Sequence, residues 1–268
     1  MGSQSVLTFR EVDALALANE EGVLDQCGEA PSYRVQELGP LMEFIHLAKA
    51  GKLPDPLIGD WVTLGGAEGL VRALASGSTS WNPQEHRRFG FVRLQEDEEH
   101  SKASLTKFFM NMKRSAENDA GLPRSVSQKL VAAIQELKGN VVEHSGLVQS
   151  GLLVYRASAS KFEFVVSDRG IGVLASLKSQ GQFGDLDDHG EALIKALQEG
   201  VSRFGANSGR GFGFRMLFLG LLDLRAMLRF RSGDHALIMN GTAPSLASAQ
   251  VIQKVVSEGL FISVSISA

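Results

Sequence analysis

The stretch ELKGNVVEH, residues 136–144, carries three polar side chains spaced four positions apart, Glu136, Asn140 and His144. Residues at this spacing lie along one stripe of an α-helix. The apolar residues of the same segment also recur at helical spacing: Leu130, Val131, Ile134, Leu137, Val141 and Val142. We therefore predict a long amphipathic helix that packs with one face, lines a cleft with the other, and ends near the glycine at position 146.

Two glycine-containing stretches follow this helix. DRGIG, residues 168–172, comes directly after an apolar segment that predicts a strand over 161–166. GRGFG, residues 209–213, comes directly before a predicted helix over 214–223. Glycines let the backbone approach a ligand closely, and the free amides at a helix start suit phosphate. An ionised carboxylate such as Asp168 can only accept hydrogen bonds, so it suits a ligand group that donates one.

In this order, the three stretches resemble the N, G1 and G2 boxes of the GHKL ATPase superfamily. This superfamily includes DNA gyrase, the heat-shock chaperone ATPases, the sensor histidine kinases and the anti-sigma-factor serine kinases. The resemblance covers roughly residues 101–268. It implies an α+β domain with the Bergerat ATP-binding fold, a two-layer α/β sandwich in which helices cover one face of a mixed, largely antiparallel sheet.

The resemblance also implies a site that binds ATP and magnesium. Glu136 corresponds to the candidate catalytic base and Asn140 to the residue that holds Mg²⁺, while Asp168 corresponds to the residue that recognises adenine. The other residues implied to bind the nucleotide are His144, Gly170, Gly172, Gly209, Arg210, Gly211 and Gly213. The long connection over 173–208, with one predicted helix over 187–199, corresponds to the family's mobile ATP lid.

Residues 1–100 lie outside the resemblance and form a predicted amino-terminal region of mixed α/β structure. Helices are predicted over 41–50 and 67–75, and a strand over 88–94. The mixture is faintly similar to the STAS-like modules that accompany some stand-alone GHKL ATPases, and its role is open. At the other end of the chain, we predict a hairpin around residues 232–234 and a final strand over 260–265 that completes the sheet.

Composition excludes several classes of function. The formal net charge of −3 provides no basic field for nucleic acid or for an anionic membrane. Cys27 is the only cysteine, so an intramolecular disulfide is impossible. The most apolar run, residues 214–230, is interrupted by Arg215, Asp223 and Arg225, which makes it a poor membrane span. We expect a cytoplasmic protein that does not enter a membrane.

Three functions stay open at this stage. The chain can be a regulatory ATPase that switches a protein partner, a serine protein kinase of the anti-sigma type, or a module that binds nucleotide without turning it over. An autophosphorylating histidine kinase needs an upstream histidine followed by an acidic residue. The upstream pairs are His46-Leu47, His86-Arg87 and His100-Ser101, which argues against this class. By family analogy alone we expect a protein partner, and assembly into a homodimer stays open.

Overall fold

A computed structural model describes residues 5–24, 33–55, 62–63, 66–83, 88–179, 183–198, 213–240 and 248–268. The amino-terminal elements are β1 (Ser5–Val6), α1 (Phe9–Glu20), β2 (Tyr33–Arg34), α2 (Leu38–Lys49), β3 (Val62–Thr63), α3 (Glu68–Ala75), β4 (Ser80–Trp81) and β5 (Phe89–Arg93). The elements that follow are α4 (Glu98–Asn118), α5 (Arg124–His144), β6 (Leu152–Ser158), β7 (Lys161–Asp168), α6 (Gly172–Lys178), α7 (His189–Ala196), α8 (Gly213–Leu222), β8 (Met227–Asn240) and β9 (Gln250–Ser267). None of the helices within these ranges combines the length and the apolar character that crossing a membrane requires.

Six strands form one antiparallel sheet in the order β4-β5-β6-β7-β9-β8. The predicted α+β class and the largely antiparallel sheet are therefore confirmed. The sheet crosses the boundary predicted near residue 100, because β5 pairs with β6 along its whole length. Strands β1, β2 and β3 form a separate, small parallel sheet.

The two faces of the large sheet are covered by different parts of the chain. On one face, side chains such as Leu153 and Phe164 pack with helices α4 to α8, as the sequence predicts. On the other face, the alternate side chains Val154 and Val165 pack with helices α1, α2 and α3. Successive residues of a strand point to opposite faces, so one strand contributes to both cores. The cover provided by the amino-terminal helices was not predicted.

The segment predicted as a hairpin around residues 232–234 is instead one strand, and the prediction is wrong. Strand β8 continues through these residues and pairs with β9 on both sides of them. The register shifts twice between Arg231 and His235, and Gly233 has a φ of +61°. A bulge uses the same residue types as a tight turn, which explains the error. The real hairpin partner of β8 is β9, which lies inside the sheet and leaves β8 at the edge.

Two buried arginines join the amino-terminal helices to the edge of the sheet. Glu43 of α2 is fully buried, and its Oε2 lies 2.7 Å from Nε of Arg229 on β8. Arg231 donates a hydrogen bond to the same carboxylate. Asp13 of α1 accepts a hydrogen bond from Arg229 at 2.6 Å, and Lys254 of β9 lies 2.8 Å from it. These contacts hold α1 and α2 against β8 and β9.

Candidate functional site

Helix α5 presents the predicted polar stripe. Its buried side chains Leu130, Ala133, Ile134, Leu137 and Val141 face the core, and Pro123 and Ser145 flank the helix. Gly146 follows with a φ of +67°, the left-handed conformation that commonly ends helices. On the other side, the residues of the stripe are half-buried. The helix thus has the two faces that the sequence predicts.

Asn140 has an unmet hydrogen-bonding requirement. Its Nδ2 is buried and has no hydrogen-bond partner among the described residues. A buried amide group without a partner costs free energy, so a native structure usually pairs it. A 180° rotation of the amide would bring Oδ1 to the same position. A ligand with phosphate oxygens, or a metal ion with its waters, would meet this requirement in either orientation.

Asp168, the last residue of β7, is a buried carboxylate at the end of an apolar strand. It is 3% exposed, and within the described part of the chain no cationic side chain is paired with it. The amides of Gly170 and Leu260 donate hydrogen bonds to it, the first at 2.8 Å. Burial outweighs these two bonds and raises the pKa of Asp168 to about 6. A carboxylate that lies buried although burial disfavours its charged form, and that can accept further hydrogen bonds, is typical of a functional site.

The loop after Asp168 requires glycine because the backbone of α5's end lies against it. A Cβ on Gly170 would lie 1.9 Å from the carbonyl oxygen of Ser145. The amide of Ile171 donates to that same oxygen at 2.9 Å, and the amide of Arg169 donates to Oγ of Ser150 at 2.9 Å. The carboxyl end of the polar helix and the DRGIG loop are therefore fixed to each other.

A second set of contacts holds the loop from the side of β8 and β9. Ser232 is 2% exposed, and its Oγ accepts a hydrogen bond from the amide of Val173 at 2.9 Å. The same Oγ donates to the carbonyl oxygen of Gly259 at 2.7 Å. A Cβ on Gly172, whose φ is +75°, would lie 2.8 Å from this Oγ, and a Cβ on Gly259 would lie 2.2 Å from the carbonyl oxygen of Asp168.

The structure thus brings the first two predicted stretches together. Glu136, Asn140 and His144 lie on α5, and Asp168, Gly170 and Gly172 lie in the loop attached to its end. Gly213 begins α8, which packs against α5. Gly209, Arg210 and Gly211 lie outside the described residues, as does part of the connection predicted as a lid. The described part of that connection contains two helices, α6 and α7, where one was predicted.

Sequence reasoning missed the residues that support the loop. Ser145, Ser150, Ser232 and Gly259 each contact its backbone, yet none was predicted as a site residue, and Ser232 was assigned to a turn. For Gly259 there was a usable signal, because an isolated glycine in a strand often marks a close backbone approach. The serines gave no such signal, since their role depends on contacts between distant parts of the chain.

Comparison with known proteins adds no identification. No family model matches the chain, and no curated protein is found to be similar to it. The site must therefore be judged from its own geometry and chemistry.

Proposed function

We propose that the chain binds ATP together with Mg²⁺ between helix α5 and the Asp168–Gly172 loop, as a regulatory ATP-binding protein with ATPase activity. The observation that carries this proposal is the buried Asp168 carboxylate, whose pKa is raised to about 6. The loop that follows it accommodates only glycine at position 170, where a Cβ would overlap the backbone of Ser145. An acceptor of this kind, held rigidly at a strand end, selects a ligand that donates a hydrogen bond. The exocyclic amine of adenine is such a donor.

The polar stripe of α5 supplies the second half of the proposed site. Asn140 has an amide that is not satisfied within the described residues, and it lies on the helix whose end is tied to the loop. Its side-chain oxygen would hold Mg²⁺, which prefers oxygen ligands and retains several waters. When bound, the metal neutralises phosphate charge. Helix α8 packs on α5, so its first residue, Gly213, is a candidate to contact the phosphates.

Glu136 is the proposed general base. It lies one helical turn before Asn140 and is half-buried, so its carboxylate can take a proton from a water molecule positioned near the phosphates. Removing the carboxylate while keeping the shape of the side chain should therefore reduce turnover and leave binding unchanged.

Calorimetric titration with a non-hydrolysable ATP analogue, with and without Mg²⁺, tests the binding proposal. We expect saturable binding that strengthens with Mg²⁺, and we expect Asn140→Ala to abolish the effect of Mg²⁺. Glu136→Gln should bind the analogue like the wild type but release phosphate from ATP much more slowly. Absence of binding to the wild-type protein under both conditions would disprove the proposal. Equal turnover by wild type and Glu136→Gln would remove Glu136 from the mechanism.

A further inference from the structure

Helix α2 of the amino-terminal region lies directly behind the Asp168–Gly172 loop. Three of its residues contact residues that belong to the loop or are next to its supports. His46 Nε2 lies 3.0 Å from the carbonyl oxygen of Glu258, Glu43 accepts a hydrogen bond from Arg231, and the carbonyl of Lys49 accepts one from Arg169 at 3.4 Å. The helix therefore contacts the loop and both of the strands that support it, β8 and β9.

The contact of His46 has a defined chemistry. The ring is buried, and burial lowers the pKa of His46 to about 4, so the imidazole is neutral near pH 7. A carbonyl oxygen only accepts, hence Nε2 carries the proton and donates to Glu258. The ring also packs against Phe261, with 5.7 Å between the ring centres. His46 thus contacts a residue on each side of Gly259, the backbone of Glu258 and the ring of Phe261.

Gly259 and Ser232 connect the residues that α2 contacts to the Asp168–Gly172 loop. The backbone of Gly259 packs so closely against Asp168 and Arg169 that a Cβ would lie 2.7 Å from the Cα of Arg169. Ser232 bonds both to Gly259 and to the amide of Val173, directly after the loop. Its neighbour Arg231 is held by Glu43 of α2. A shift of α2 must therefore move the adenine side of the site or break these contacts.

We propose that His46 and Ser232 are positioning residues of the nucleotide site, through which the amino-terminal region sets adenine recognition. This inference rests on the proposed function of the Asp168–Gly172 loop. It gives residues 1–100 a role in nucleotide binding that is separate from their packing on the sheet. A residue that only stabilises the fold would affect all nucleotides equally, whereas a residue that positions the loop should affect the preference for adenine.

Two variants and their controls test the proposal. Ser232→Ala removes both hydrogen bonds of the hydroxyl, and His46→Leu removes the donor to Glu258, while His46→Gln keeps a donor on a side chain of similar reach. The control is Ser263→Ala, a buried serine farther along β9. Affinities for ATP and GTP are measured with Mg²⁺ by competition against a fluorescent ATP analogue, well below each variant's Tm.

The expected result is a loss of base preference. The ratio of the GTP to the ATP dissociation constant should fall by about tenfold in Ser232→Ala and about threefold in His46→Leu, as expected for losing one or two hydrogen bonds. His46→Gln and Ser263→Ala should retain the wild-type ratio. Unchanged ratios in Ser232→Ala and His46→Leu would overturn the proposal, even if both variants had lower Tm values.

Hydrogen exchange tests whether His46 and Ser232 hold the loop, independently of whether the protein binds nucleotide. The amide of Val173 is bonded to Ser232, so its protection should fall by about tenfold in Ser232→Ala and to a smaller extent in His46→Leu, and should stay constant in Ser263→Ala. If the wild-type protein binds neither nucleotide, the proposed function fails, and exchange alone decides whether the two residues hold the loop. Unchanged protection of Val173 in both variants would show that they do not.

Discussion

Two buried carboxylates on opposite sides of the sheet behave differently. Glu43 and Asp168 are 0% and 3% exposed, and burial alone would raise the pKa of each. For Glu43, the charges of Arg229 and Arg231 outweigh burial, and its pKa is lowered. Asp168 accepts bonds from two backbone amides, and its pKa is raised to about 6. Equal burial therefore has opposite consequences, and the partner decides whether a buried acid supports the fold or is held ready for a ligand.

The largest effect is expected at the paired carboxylate. Glu43→Gln removes the fully buried carboxylate that Arg229 and Arg231 share and leaves them only the partly exposed Asp13, so the free energy of unfolding should fall by about 3–5 kcal/mol. The matched control is Glu37→Gln, whose carboxylate is 44% exposed and paired with Lys161, and which should change stability by less than about 1 kcal/mol. Urea denaturation measures both. Equal effects of the two substitutions would mean that the buried cluster does not anchor α2.

Gly170, two residues after Asp168, should respond to a single added methyl group. Gly170→Ala forces a Cβ against the carbonyl oxygen of Ser145 and should lower stability by about 1–3 kcal/mol, as overpacking does. Gly139→Ala in α5 is the control, because apart from its neighbours in the helix no atom of the described residues lies within 4 Å of the added Cβ. That substitution should raise stability by about 0.5–1 kcal/mol, since alanine favours helices. Thermal unfolding compares the two, and an unaffected Gly170→Ala would contradict the close contact.

Replacing Asp168 should weaken nucleotide binding. Asp168→Asn keeps the shape of the side chain but removes the charged acceptor, and the affinity for ATP should fall by about 1–3 kcal/mol. Calorimetry at pH 7.5 measures the change, with Glu163→Gln as control. Glu163 is a buried acid elsewhere on β7 whose carboxylate accepts a bond from the amide of Leu38. Unchanged affinity in Asp168→Asn would remove this residue from adenine recognition.

The same substitution should stabilise the protein without ligand. The pKa of Asp168 is raised above the usual 3.8, so the folded state binds the proton more tightly than the unfolded state does. Its favourable contribution is full below about pH 4 and is lost as the pH rises through 6. Asp168→Asn should therefore exceed the wild type in stability by about 1–2 kcal/mol at pH 8, and the gain should shrink towards pH 4. A gain that does not depend on pH would exclude titration of Asp168 as its cause.

Much of the fold could be predicted from local pattern. The end of α5 and the bounds of β7 are close to the predicted ones, because apolar periodicity and the flanking glycine act within each segment. The bulge in β8 was mistaken for a turn, since the residue types are the same and only the pairing with β9 distinguishes them. The packing of α1, α2 and α3 on the second face of the sheet was also missed. The alternation of side chains along a strand does not indicate which helices pack on each face.

The sequence by itself determined the polar stripe of α5, the strand-end acid Asp168 and the glycines that follow it. Local spacing and residue chemistry are enough to define these, since each lies within one element or one turn. Only the tertiary structure decided that Asp168 is buried with no cation paired to it among the described residues, that Ser232 and Gly259 hold its loop, and that α2 lies behind them. These properties depend on contacts between residues more than 25 positions apart, which local pattern does not encode.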